Sequence, residues 1–177
     1  MSVLYEMSSD LPPYTGIPLI TRGLTQLSHQ IAKAEEWASQ NNVSSEDLVQ
    51  RRLKEDMLPL SFQVQFSTNV AKGVLSKLAG LEDVKLEDNE TTLAELRERV
   101  DRVAELFRAV EGRKDLFEGK EEQEITVNVP SKEFKFTGLV YLQYWVLPNF
   151  FFHITTAYDL FRQEGVPLGK GDFLGTP

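Results

Sequence analysis

With 177 residues, 41% hydrophobic and 26% charged, the chain is long enough for one sizeable core and has the composition of an ordinary globular domain. Its net charge of -8 argues against a nucleic-acid partner, because phosphate binding needs a clustered basic surface. The absence of cysteine excludes disulfides, thiolate nucleophiles and cysteine-based zinc sites, and fits a reducing compartment.

The basic residues are interleaved with acids, as in Arg97-Glu98-Arg99 and Asp101-Arg102, which reads as a solvated helix face. Met1 to Gly16 shows no basic region followed by an apolar run, so no secretory signal is expected. Gln143, Pro148, Asn149 and His153 interrupt the longest apolar stretch, and no membrane span or membrane partner is expected. These features predict a cytoplasmic protein.

The first helix is expected to open after Thr15-Gly16. Its apolar stripe runs through Ile17, Ile20, Leu24, Leu27, Ile31, Ala34 and Ala38 to a stop at Asn41-Asn42. Ser44 or Ser45 caps a short helical piece through Leu48 and Leu53. A second long helix starts near Pro59, carries Phe62, Phe66, Val70, Val74 and Leu78, and stops at Gly80. Thr92 and Glu95 have the spacing of a capping box, and Leu93, Leu96, Val100, Val103, Phe107 and Val110 follow, closed by Gly112.

The texture then changes. Ile125, Val127 and Val129 alternate with polar residues, Pro130-Ser131-Lys132 turns the chain, and Phe134 and Phe136 alternate on the return, so a hairpin is expected at about 124–137. Thr137 caps the last helix, which carries Leu142, Val146, Asn149, His153, Thr156 and Leu160 and ends at Gly165 and Pro167. Pro148 should kink this helix or free a carbonyl. The tail, about 165–177, reads as an irregular extension. The whole, 1–177, is expected to be one all-α domain: an up-and-down four-helix bundle with a small β-hairpin inserted before the last helix.

Chemistry concentrates in Leu147-Pro148-Asn149-Phe150-Phe151-Phe152-His153. Asn149 and His153 lie one turn apart on one face of the most apolar helix, where polar groups are either hydrogen-bonded or form a site. Gln63, beside Phe62 and Phe66, is the candidate to face them from the second long helix. Asp56 is placed upstream to orient His153, or else to stand exposed as a cap. His29, the other histidine, falls on the polar side of the first helix and reads as a surface residue. Tyr144, Trp145 and Phe152, with Phe62, Phe66 and Asp56, are the expected substrate-binding residues. The aromatic surplus of the last helix would line a pocket, or a homodimer interface.

No G-x-S-x-G elbow, P-loop or dinucleotide fingerprint is present. Gly169-Lys170-Gly171 falls after the last helix and is not expected to open another one. The acidic run Glu118 to Glu124 reads as a solvated loop.

The motifs Asp56-Met57-Leu58-Pro59-Leu60 with Gln63, Glu90-Thr91-Thr92-Leu93-Ala94-Glu95-Leu96, Phe134-Lys135-Phe136-Thr137-Gly138 and Leu147 to His153 resemble one family over nearly the whole chain. Gly165-Val166-Pro167-Leu168-Gly169-Lys170 and Asp172-Phe173-Leu174-Gly175 complete the pattern. It is the domain of unknown function nineteen ninety-three, grouped with DinB/YfiT-like metalloenzyme bundles. The resemblance implies a bundle with a site near Gln63, Asn149 and His153, where the wider group often carries three histidines. This chain keeps the third alone, and neutral Gln and Asn are poor ligands for a transition metal.

The leading expectation is therefore a small-molecule-binding protein with a pocket inside the bundle. As an enzyme it would do metal-free acid–base chemistry (isomerase, dehydratase or cyclase type) on an apolar oxygenated substrate. His153 would shuttle the proton, its ordinary pKa lying near neutrality, while Asn149 and Gln63 hold an oxygen. The alternative is a non-catalytic binding or structural homodimer. A DinB-like metal-dependent hydrolase or transferase with a degenerate site ranks third, so no cofactor is expected and a divalent metal near His153 is disfavoured.

Overall fold

A computed structural model describes residues 13–130 and 132–175. Local chemistry sets most element boundaries. Helix α1 (Gly16–Asn41) ends where Asn42 adopts left-handed φ of 56°. The Ser44 side chain accepts from Asp47 N–H to cap α2 (Ser45–Leu48), which stops before Leu53. Helix α3 (Leu60–Lys77) follows Pro59. At α4 (Leu93–Ala109) both halves of the Thr92/Glu95 capping box form.

Strands β1 (Glu124–Val129) and β2 (Lys132–Thr137) pair antiparallel, Val129 opposite Lys132 and Glu124 opposite Thr137. Ser131 of the expected turn, like Met1–Pro12, lies outside the described residues.

Helical backbone then runs unbroken from Gly138 to Glu164 as α5 (Gly138–Val140), a π-helical stretch (Tyr141–Val146) and α6 (Leu147–Glu164). The wide turn answers Pro148, which has no N–H to give and crowds the carbonyl a turn before it. Leu147 N–H instead reaches the Leu142 carbonyl, five residues back.

The long helices pack α1 on α4, α4 on α3, α3 on α6 and α6 on α1. Their directions follow from paired residues. Gly16 meets Leu142 and Gly23 meets Phe150, so α1 and α6 run parallel. Ser28 bonds Asp101 and Glu35 pairs with Arg97, so α4 runs against α1. Gln63 meets His153 and Gly73 meets Tyr141, so α3 runs against α6. The expected all-α four-helix bundle with a hairpin before its last helix forms, but its chain path is up, down, down, up and not the expected simple up-and-down order.

Two successive parallel helices require a return connection. Helix α3, with 18 residues, is about 27 Å long, a distance that about nine extended residues cover. Residues 78–92 make that return along α3: Lys72 pairs with Asp83, Asn69 with Asp88 and Gln65 with Glu90.

The core between the helices is filled by fully buried side chains, Phe107, Phe150, Phe161, Ile20, Leu24 and Leu27 among them. Among the described residues no helix is long and apolar enough to cross a membrane.

Two further expectations are corrected here. The tail is not irregular throughout: Gly169-Lys170-Gly171 opens α7 (Lys170–Leu174), and Asp172 caps it by accepting the Gly169 N–H at 2.7 Å. Arg99 is not on a solvated face, being 4% exposed inside the α3–α4 seam. It sits a turn beyond Leu96 on the apolar stripe, and a ring of acceptors compensates its charge.

Candidate functional site

Gln63 stands in the first turns of α3, one helix away from His153 on α6, and the antiparallel packing of these helices brings the two together. Gln63 Nε2 donates to the Leu58 carbonyl at 2.9 Å. Its Oε1 therefore faces the imidazole, and His153 Nδ1 donates to it at 2.7 Å. An amide oxygen only accepts, so this bond fixes the tautomer: Nδ1 carries the proton and Nε2 presents a lone pair.

No hydrogen-bond partner for Nε2 occurs among the described residues, and His153 as a whole is 9% exposed. The single buried side-chain polar atom without a partner among those residues is Gln30 Oε1.

Aromatic rings wall the imidazole. Phe66 lies 4.4 Å from it between centroids, Phe152 5.1 Å edge-on and Phe62 5.9 Å edge-on. His153 itself is 9% exposed, whereas Phe152 is 58% exposed. The ring thus occupies the α3–α6 seam, next to the exposed Phe152. Phe107, Phe150 and Phe161 are fully buried in the core, while His153 lies in the seam between two helices.

Burial in this apolar surround lowers the His153 pKa to about 4, because the charged form loses its water. The near-neutral value expected for a proton shuttle does not survive burial.

The other expected residues are placed differently. Asn149 Nδ2 donates to the Trp145 carbonyl at 2.6 Å, a bond within its own helix. Trp145 packs on the hairpin, 5.3 Å from Phe134 and 5.8 Å from Phe136. Tyr144 is half exposed. Asp56 is exposed and lines a surface cavity of about 710 Å³ with Arg51, Arg52 and Glu164; Gln63, not Asp56, orients the imidazole. His29 is half exposed as expected, but its Nε2 lies 3.0 Å from Asp172 Oδ1.

A family model, the domain of unknown function DUF1993, matches residues 14–174. The chain belongs to the DUF1993 family. Among solved structures, it is similar to a DinB family member protein from Shewanella denitrificans, at 33% identity and a TM-score of 0.78. The match covers 92% of this chain and 91% of that one, so the DUF1993 bundle is DinB-like in fold. No curated protein matches.

The residues of this DUF1993 site do not fit the metal of the wider group. Gln63 spends Oε1 on His153 and Nε2 on Leu58, and Asn149 turns its amide to Trp145. His153 Nε2 is then the one imidazole donor, beside neutral amide oxygens that bind a transition metal poorly, and among the described residues no group of three or more His, Asp or Glu is placed to hold an ion.

Sequence reasoning missed the Arg99 cluster. Its guanidinium donates to Thr68 Oγ1 at 2.7 Å, Asp88 Oδ1 at 2.7 Å, Glu90 Oε1 at 2.8 Å, Asn69 Oδ1 at 2.8 Å and the Glu87 carbonyl at 2.9 Å. The available signal was a cation on the stripe of Leu96, Val100 and Val103.

Proposed function

We propose that the protein binds a neutral small molecule at the α3–α6 seam. His153 Nε2 accepts a hydrogen bond from a ligand hydroxyl or N–H, and Phe62, Phe66 and Phe152 cover its apolar body. One observation carries this reading: the Leu58–Gln63–His153 chain commits Nδ1 and leaves Nε2 as an oriented acceptor, without a partner among the described residues, beside an exposed ring. Such a convergence of apolar walls and one placed polar atom is what ligand sites are made of.

An imidazole with a pKa of about 4 is uncharged near neutral pH, which favours acceptance over general-acid catalysis. The acid–base enzyme therefore stands behind the binding protein. A cytoplasmic setting goes with both, on the absence of cysteine.

The test is a thermal-shift panel of apolar oxygenated compounds on wild type, His153→Ala and Gln63→Ala. A ligand at a hundredfold excess over its Kd should stabilise the wild type by about 2.7 kcal/mol. Loss of the acceptor should weaken binding at least about tenfold. Equal shifts in all three proteins would remove the site from consideration.

The exposure of Phe152, and of Tyr144 at 49%, favours one second reading, a non-catalytic homodimer. A protein that binds nothing in the panel, sediments as a dimer and becomes monomeric on Phe152→Ser is the outcome that would put that reading first.

A further inference from the structure

Beyond Gly165 the chain reverses and descends along α1. Gly165 lies beside Trp37, Asp172 beside Lys33 and His29, and Gly175 beside Gln26, while Arg22 donates to the Leu174 carbonyl. The segment has two parts. Val166 and Leu168 are fully buried and anchor its first turn. From Gly169 to Gly175 nothing is buried, and α7 is held mainly by charge.

That hold converges on Asp172. Its Oδ1 accepts from Lys33 Nζ at 2.9 Å and faces His29 Nε2 at 3.0 Å, and its Oδ2 accepts the Gly169 N–H at 2.7 Å. The apolar contribution of α7 comes from Phe173, half-buried and edge-on to Tyr158 of α6 at 5.7 Å.

On the same stretch of α1 stands Gln30, 1% exposed, whose Oε1 has no donor. On α1 it sits between the residues that meet the tail (Gln26, His29, Lys33) and Gly23, which meets α6. Its amide therefore belongs to the junction of α1, α6 and α7. A buried carbonyl oxygen without a donor is a standing cost, and it calls for an account.

We propose that residues 169–175 are a displaceable cover over a second ligand groove. The cover swings on Gly169. A ligand bearing an aromatic ring and an O–H or N–H donor takes the place of Phe173 against Tyr158 and donates to Gln30 Oε1. This groove is separate from the His153 seam, because His153 leaves α6 on the flank facing α3 and Tyr158 on the flank facing the tail.

The test uses the full chain, with phenol as the probe. Asp172→Asn weakens the latch, and Lys33→Met weakens it independently should the first variant fold poorly. Hydrogen exchange should accelerate about tenfold or more in 169–175 while α4 is unchanged. Phenol should bind the latch variants about fivefold or more tighter than wild type, since the open state is then more populated. Binding should survive His153→Ala and be lost when Gln30→Met is added.

Unchanged exchange in both latch variants would overturn the proposal. So would acceleration without saturable phenol binding, phenol binding equal to wild type, or binding that persists with Gln30→Met.

Discussion

His153 is the residue where environment has changed chemistry most. In the unfolded chain its pKa is about 6.5, and in the folded protein burial lowers it to about 4. Between those values the unfolded state binds a proton that the folded state refuses, so stability falls as the pH drops through that window. The slope reaches about 1.4 kcal/mol per pH unit. His153→Gln keeps an N–H for Gln63 and does not titrate. Urea midpoints at pH 7 and pH 5 should therefore fall clearly in wild type and less in the variant. Equal losses would mean that the imidazole takes up its proton without unfolding. Asp172 acts in a lower window. The Gly169 N–H, then Lys33 and His29, hold its carboxyl below the usual range. Its stabilising contribution is whole above about pH 4 and is lost as the pH falls further.

Between elements, the unusual feature is the return connection that lets α3 and α4 run parallel, and Arg99 is its main tether. Its side chain is 2% exposed and pairs with Glu90 at 11% and Asp88 at 51%. Arg99→Met would leave Glu90 and Thr68 without their cation and should cost about 3 kcal/mol, the lower end for breaking a buried pair. Amide exchange across 81–92 should rise with it. A cost under about 1 kcal/mol would assign the tether to apolar packing instead, as by Leu86, which is partly buried against the core.

The Thr92/Glu95 box, the Gly165 stop and both strands were legible because neighbouring residues encode them. The crossover was not, since helix direction depends on contacts between residues far apart in the chain. Arg99 was misread because its charged neighbours, Arg97 and Glu98, outweighed its place on the apolar stripe. The Gln63–His153 pair was legible as polar residues on apolar faces. The inward turn of Asn149 was not, because it depends on the π-helical stretch ahead of Pro148.

At the scale of the whole molecule, the two tryptophans stand at opposite ends of one bundle. Trp37 lies by Gly165, where α1 and α6 finish, and Trp145 lies by the hairpin, near the start of the last helical run. The core is continuous between them: Ile31, Leu27, Leu24 and Ile20 line α1, and Phe161, Ile154 and Phe150 line α6, in one buried cluster. A core without a seam gives neither end a separate means of staying folded, so unfolding should be all-or-none. Trp37→Phe and Trp145→Phe each leave one reporter. Once each variant's own change in stability is allowed for, its fluorescence transition in urea should coincide with its far-ultraviolet circular dichroism. A Trp145 signal that moves before the helical signal would mark the hairpin end as a unit that opens alone. Coincidence at both ends would mean that the hairpin, the π-helical stretch and the return connection all share the stability of the same core.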